Sequence, residues 1–140
     1  GILQTFKLKN DSWETDEKIK DILFHSKDKA KASQKSSPIS SAGFVADVLE
    51  SGNLQTGMVS ESGEFSLVND EGKIVQQYRL PAGVEAPIFV GDIDSDGKLE
   101  IVFACLDGML RCYDTNSKGK VFWGQFRGDH KNSGIIDFRR

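Results

Sequence analysis

Gly91-Asp92-Ile93-Asp94-Ser95-Asp96-Gly97-Lys98-Leu99-Glu100-Ile101-Val102 sets four carboxylates at near-alternate positions around one glycine and then runs into an apolar stretch. Such a loop suits a hard cation. Asp92, Asp94 and Asp96 supply three side-chain oxygens, Lys98 a backbone carbonyl and Glu100 a closing carboxylate, the all-oxygen set that Ca²⁺ prefers. Gly97 provides the backbone freedom that the sharp turn requires.

An EF-hand loop starts the same way but needs a bidentate Glu at its twelfth position and a helix on each side. The twelfth residue here is Phe103. The flanks, Pro87-Ile88-Phe89-Val90 and Leu99 to Cys105, are rich in β-branched and aromatic residues and read as strands. The loop therefore joins two strands. An all-β chain follows, and a calcium site is its expected cofactor.

Pro87, the Val90 to Gly97 run, Leu99-Glu100-Ile101-Val102, Asp107-Gly108, Tyr113-Asp114 and Trp123 together resemble one blade of an FG-GAP (VCBS-like, integrin α-type) β-propeller repeat. Asp107 to Asp114 followed by Gly119-Lys120-Val121-Phe122-Trp123 is also similar to blades of quinoprotein-like propellers. The resemblance implies antiparallel four-stranded blades. It also implies internal repetition, and the chain shows it. A shift of 45 residues, that from Asp47 to Asp92, lays Val45-Ala46-Asp47-Val48 on Val90-Gly91-Asp92-Ile93, Gly52 on Gly97, Leu54 on Leu99, Gly63 on Gly108 and Phe65 on Leu110. A period near 45 is that of a propeller blade. The earlier loop has Leu49 and Ser51 where the later one has Asp94 and Asp96, so it is expected to keep the turn without an ion.

Ile74 to Leu80, Ile2 to Leu8 and Val121 to Arg127 share one apolar-and-basic rhythm. The expected organisation is a last strand of a preceding blade at 1–8, a charged insertion at 9–37, a degenerate blade at 38–80, the calcium-loop blade at 87–127 and a tail at 128–140. The chain is thus expected to be the C-terminal piece of a partial propeller, because a ring typically takes four to eight blades. The remaining blades are expected from the same precursor or a companion chain. Lys9 to Ser37 carries seven Lys and six acidic residues, and Ile19, Ile22 and Leu23 at i, i+3, i+4 predict a short helix from Glu14 to Phe24.

Cys105 and Cys112 flank Asp107-Gly108. With those two residues as a hairpin tip, both sulfurs fall on one face but diagonally offset by roughly 7 to 8 Å, too far for a disulfide, so two buried thiols are expected. Arg127-Gly128-Asp129 spells an integrin-recognition tripeptide but sits in a stretch resembling the tail of bacterial propellers, with Trp123 and Phe126 expected between blades.

A net charge of -3 argues against a nucleic-acid partner. No apolar run approaches the roughly 18 residues of a membrane span. His25 and His130 lack neighbours at triad or metal spacing, and no Gly-x-Ser-x-Gly elbow is present, so no catalytic residue is assigned. The expected function is a calcium-stabilised propeller segment for recognition of a protein or glycan ligand, or scaffolding, at the cell surface, in the periplasm or outside the cell. The alternative is a non-catalytic propeller portion of a larger enzyme, such as a polysaccharide lyase or a quinoprotein-like dehydrogenase.

Overall fold

The computed structural model describes residues 2–3, 6–9, 12–15, 22–23, 38–39 and 41–135. They are all β, with no helix among them. Two short antiparallel pairs come first: β1 (Ile2–Leu3) with β4 (Ile22–Leu23), and β2 (Phe6–Lys9) with β3 (Ser12–Thr15). The helix predicted over Glu14 to Phe24 is therefore not formed at its ends. Thr15 pairs with Phe6 and Leu23 with Ile2, and backbone pairing of this kind overrides a weak local helical preference. Residues 16–21, and the rest of the charged insertion as far as residue 37, lie outside the described residues.

Strands β5 (Phe44–Ala46), β6 (Gln55–Val59), β7 (Glu64–Val68) and β8 (Ile74–Arg79) form an antiparallel meander, and β9 (Phe89–Gly91), β10 (Glu100–Ala104) and β11 (Leu110–Asp114) form a second sheet. The 45-residue shift lays β5 onto β9 and β6 onto β10 at both ends. Their turns repeat as well. Gly63 N–H donates to the Ser60 carbonyl at 2.9 Å and Ser60 N–H to the Glu64 carbonyl at 3.0 Å; Gly108, Cys105 and Met109 repeat that pair at 3.0 and 3.0 Å. Gly63 and Gly108, at φ 86° and 79°, occupy the left-handed region that ends a three-residue hairpin loop.

That loop is one residue longer than the two-residue tip expected from Asp107-Gly108, and a one-residue change flips every side chain beyond it. Cys112 consequently lies opposite Val102, not Phe103, and Ala104 rather than Cys105 lies opposite Leu110. The two sulfurs sit on opposite faces. Cys105 is buried, Cys112 is exposed, and both are free thiols, which corrects the expectation of two buried ones.

The core lies between the sheets. Phe44, Val59, Phe65 and Leu67 from the first meet Val90, Ile101 and Phe103 from the second. Phe65 packs edge-on to Phe103 with ring centroids 5.1 Å apart, and Phe44 stacks on Phe65 at 6.2 Å. β12 (Val121–Trp123), which the repeat pattern places as a fourth strand after β11, instead pairs with β5 of the first sheet through Val121↔Ala46 and Trp123↔Val45. The order of that sheet is β12-β5-β6-β7-β8.

Gly57 lies opposite Phe44, and the phenyl ring fills the space above it, so a Cβ there would collide with three ring carbons. Phe44 is fully buried and has nowhere to go. Gly57→Ala is expected to lower stability by about 1 to 3 kcal/mol, as overpacking of a filled core does. Urea unfolding measures it, and an unchanged midpoint would contradict the packing described.

Candidate metal centre

The second-sheet loop after β9 is folded by its own carboxylates. Asp92 Oδ2 accepts the Gly97 N–H at 3.0 Å, Asp94 Oδ1 accepts the Asp96 N–H at 3.2 Å, and Asp96 Oδ1 accepts the Lys98 N–H at 2.8 Å. The last two are Asx-type turns, and in all three a short acidic side chain satisfies a backbone donor of the tight path. Glu100, buried on β10, reaches back to accept the Ile93 N–H at 2.8 Å. Carboxylate oxygens of Asp92, Asp94 and Glu100 all lie within 4.8 Å of one another, an arrangement that can hold a metal ion.

Of the five residues proposed from the sequence, these three converge. Asp96 does not join them in this geometry: its carboxylate lies 3.5 Å from the Lys98 ammonium, which also reaches Asn116 Oδ1 at 3.1 Å and Asp114 at 3.8 Å. Lys98 thus braces the outside of the loop. Cys112 stands beside the acidic loop; packing around its sulfur, and then the charges of Glu100, Asp94 and Asp114, push its thiol above the ordinary value.

The first-sheet loop is an internal reference for the second. Gly52 N–H donates to Asp47 Oδ2 at 2.8 Å, the counterpart of Gly97 on Asp92, and Glu50 and Gly52 (φ 51° and 79°) match Ser95 and Gly97 (φ 65° and 83°). Gln55 takes the place of Glu100. Its Oε1 accepts the Leu49 N–H at 3.2 Å, as Glu100 does from Ile93 nearby, while its Nε2 donates to Ser51 Oγ at 2.9 Å and to the Asn53 carbonyl at 2.6 Å. Ser51 and Asn53 correspond to Asp96 and Lys98. An amide N–H₂ in the first loop thus donates to the groups whose counterparts were proposed as cation ligands in the second. Motif reading passed over Gln55, although the 45-residue shift sets it on Glu100.

Ser117 ties the two loops together. Its Oγ donates to the Asp47 carbonyl at 2.7 Å and its carbonyl accepts the Leu99 N–H at 2.8 Å. Gly119 passes so close to Asp47 that a Cβ would strike the Asp47 carbonyl.

Elsewhere, a cavity of about 280 Å³ opens between the sheets, walled by Phe65, Leu67, Ile101 and Phe103, with Tyr78 and Tyr113 in edge contact at 5.6 Å. The Arg127-Gly128-Asp129 tripeptide is a turn. Asp129 accepts from Ser133 N–H (2.9 Å), Ser133 Oγ (2.6 Å) and Lys131 N–H (3.0 Å), and its carboxyl is held low first by the Ser133 hydroxyl. Trp123 lies under Gly128, whereas Phe126 is exposed rather than packed between sheets.

Two face-packed antiparallel sheets repeating at 45 residues define a segment of a β-propeller. Residues 59–133 match the family of the lambda-carrageenase beta-propeller domain, and the chain belongs to that family. What this match shares with the FG-GAP and quinoprotein-like resemblances is the propeller. No curated protein and no solved structure matches the chain.

Burial alone would raise the Asp47 carboxyl, but backbone donors from Ser51 and Gly52, with the Ser51 and Gln55 side chains, outweigh it and hold the group below its ordinary 3.8. A carboxyl depressed in the folded state contributes stability above its unfolded value that disappears as pH falls through the folded one. Stability is therefore expected to decline as pH drops below 3.8, and Asp47→Asn to make that acid limb shallower. Thermal melts from pH 5 downward check this; identical slopes in both proteins would contradict it.

Proposed function

We propose that the chain is a calcium-stabilised segment of a propeller of antiparallel four-stranded blades, serving recognition of a protein or glycan, or scaffolding, on the outer side of a cell membrane rather than catalysis. The observation that carries the reading is the contrast between twin loops. In the first, Gln55 brings an N–H₂ donor to the loop centre. In the second, Glu100 brings a carboxyl group where Gln55 has its amide, and it converges with Asp92 and Asp94. Like charges so close disfavour one another unless a cation lies among them. Oxygen-only ligation suits Ca²⁺, and extracellular calcium suffices for sites of modest affinity, on the order of 10⁻⁴ to 10⁻³ M. Asp92, Asp94 and Glu100 form the core of this proposed site, with Asp96 and the Lys98 carbonyl turning in when the ion binds.

A second reading is favoured by the family, whose name is that of an enzyme acting on λ-carrageenan. In it the segment is the non-catalytic propeller portion of a larger polysaccharide-degrading protein. The protein at its native length would then release reducing ends from λ-carrageenan, and the 140-residue chain alone would not.

Titration of chelator-stripped protein with Ca²⁺ in a calorimeter is expected to show one site; no heat up to millimolar levels would overturn the assignment. Glu100→Gln copies the first loop, so it is expected to fold normally while losing affinity by on the order of tenfold or more, because ligand charge sets calcium affinity. A ligand that binds only the native state raises stability with its concentration. At equal calcium concentration the Tm should accordingly rise less in this variant than in the parent protein.

A further inference from the structure

Strand β12 has two edges open to it and occupies one. The 45-residue shift that lays β5 and β6 on β9 and β10 sets Gln76, Gln77 and Tyr78 of β8 on Val121, Phe122 and Trp123. β8 pairs with β7 through Leu67↔Gln76, Ser66↔Gln77 and Phe65↔Tyr78. The same register on the second sheet sets Val121 opposite Cys112, Phe122 opposite Arg111 and Trp123 opposite Leu110. Among the described residues no strand lies beyond β11, and Leu110 is 74% exposed. Six residues, 115–120, lead from β11 to β12, against five, 69–73, from β7 to β8, so the connection is long enough to turn back. The joint with β5 is short. It consists of Val121↔Ala46 and Trp123↔Val45 with an irregularity between them, flanked by Asp47 N–H on the Lys120 carbonyl at 2.9 Å and Val90 N–H on the Gly124 carbonyl at 2.6 Å. Thr115, whose N–H and Oγ1 donate to the Leu99 carbonyl at 2.9 and 2.7 Å, stays beside β10 wherever β12 lies. Residues 116–120 are left as a hinge, and Asn116 at its start has a left-handed φ of 57°.

We propose that β12 exchanges between the edge of β5 and the edge of β11. On β5 it extends the first sheet. On β11 it extends the second, with Trp123 beside Leu110 and Phe122 on the side of the sheet where Tyr113 meets Tyr78. The two positions exclude each other, so a strand that takes the β5 edge drives β12 to β11, and one that takes the β11 edge holds it on β5. The β11 position is the minor one, and minor conformers of this kind are populated at about 0.1 to 10%. The inference rests on the 45-residue repeat and on strand pairing, not on the calcium site or on what the segment recognises.

Cys112, an exposed free thiol, can trap the exchange. Val121→Cys places a second thiol opposite it only when β12 lies on β11, where opposed residues have Cα atoms about 4.5 to 5.5 Å apart, within disulfide reach. On β5 the segment lies beside β9, and β10 stands between β9 and β11. The variant of the 140-residue chain is oxidised under native conditions with diamide, which takes up the two thiol hydrogens as the S–S bond forms, and the bridge is located by peptide mass. A bridge from Cys112 to position 121 is expected to form about tenfold or more faster than the amides of β6 and β7 exchange, a process that needs global unfolding. No bridge, or one no faster than that exchange, would overturn the proposal. In the bridged protein the Asp47 and Val90 amides lose the Lys120 and Gly124 carbonyls and are expected to exchange about tenfold or more faster than in the reduced one. Unchanged protection would also overturn the proposal, because position 121 would then have met Cys112 with β12 still on β5. In the unaltered chain the same two amides are expected to exchange about tenfold or more faster than those of β6 and β7, and equal rates would overturn the exchange without any substitution.

Discussion

Phe65 meets Phe103 edge to face, and around that contact the two sheets close on each other. A propeller repeat is a thin object with two faces and cannot bury either by itself, so its stability comes from the neighbour against which it packs. The first sheet obtains that neighbour from within the chain. Its inward face is fully apolar where the rings meet, and one position, Gly57, is left without a side chain because Phe44 occupies the volume. Aromatic pairs of this geometry favour the edge-on approach through their quadrupoles in addition to the area they bury.

The turns that lead into this core are built twice with one backbone and two different fillings. In both, an aspartate at the start caps a glycine N–H five residues on, and a side chain from the following strand reaches back to a backbone N–H in the loop. The path of the chain is thus set by hydrogen bonds from the backbone to Asp47 and Asp92. What occupies the middle is a separate matter, decided by whether the returning side chain is an amide or a carboxylate. A fold that separates turn geometry from loop content can lose or gain charge at one blade without disturbing the next.

The repeat was the most legible feature of the sequence. Asp47, Gly52 and Gly63 aligned on Asp92, Gly97 and Gly108 place β6 and β10 on the same footing, because glycine and aspartate are demanded by backbone conformation and therefore stand at fixed offsets. Asp92, Asp94 and Glu100 were legible for the same reason. The hairpin at 106–108 was not, since Asp-Gly suits both a two-residue tip and the end of a three-residue loop, and the choice moved Cys105 to the opposite face from Cys112. The helix expected over Glu14 to Phe24 gives way to strands at Glu14–Thr15 and Ile22–Leu23, because periodicity carries no information on whether a pairing strand is at hand. Where Val121–Trp123 docks is a tertiary decision, and no pattern within those three residues distinguishes β5 from β11 as a partner.

The pairing of β12 with β5 joins Val121 to Ala46 across the whole of both repeats, and Lys120 to Asp47 beside it. Contacts between residues so distant in sequence must wait until the intervening chain has been made and ordered, and their loop-closure entropy slows folding. Among the described strands, β5 has only β6 beside it during synthesis until Trp123 has left the ribosome. An unpaired edge is a template for mispairing. Strand β12 is thus a latch, and the length of time it remains open bears on the yield of folded protein as much as does the stability of the finished sheets.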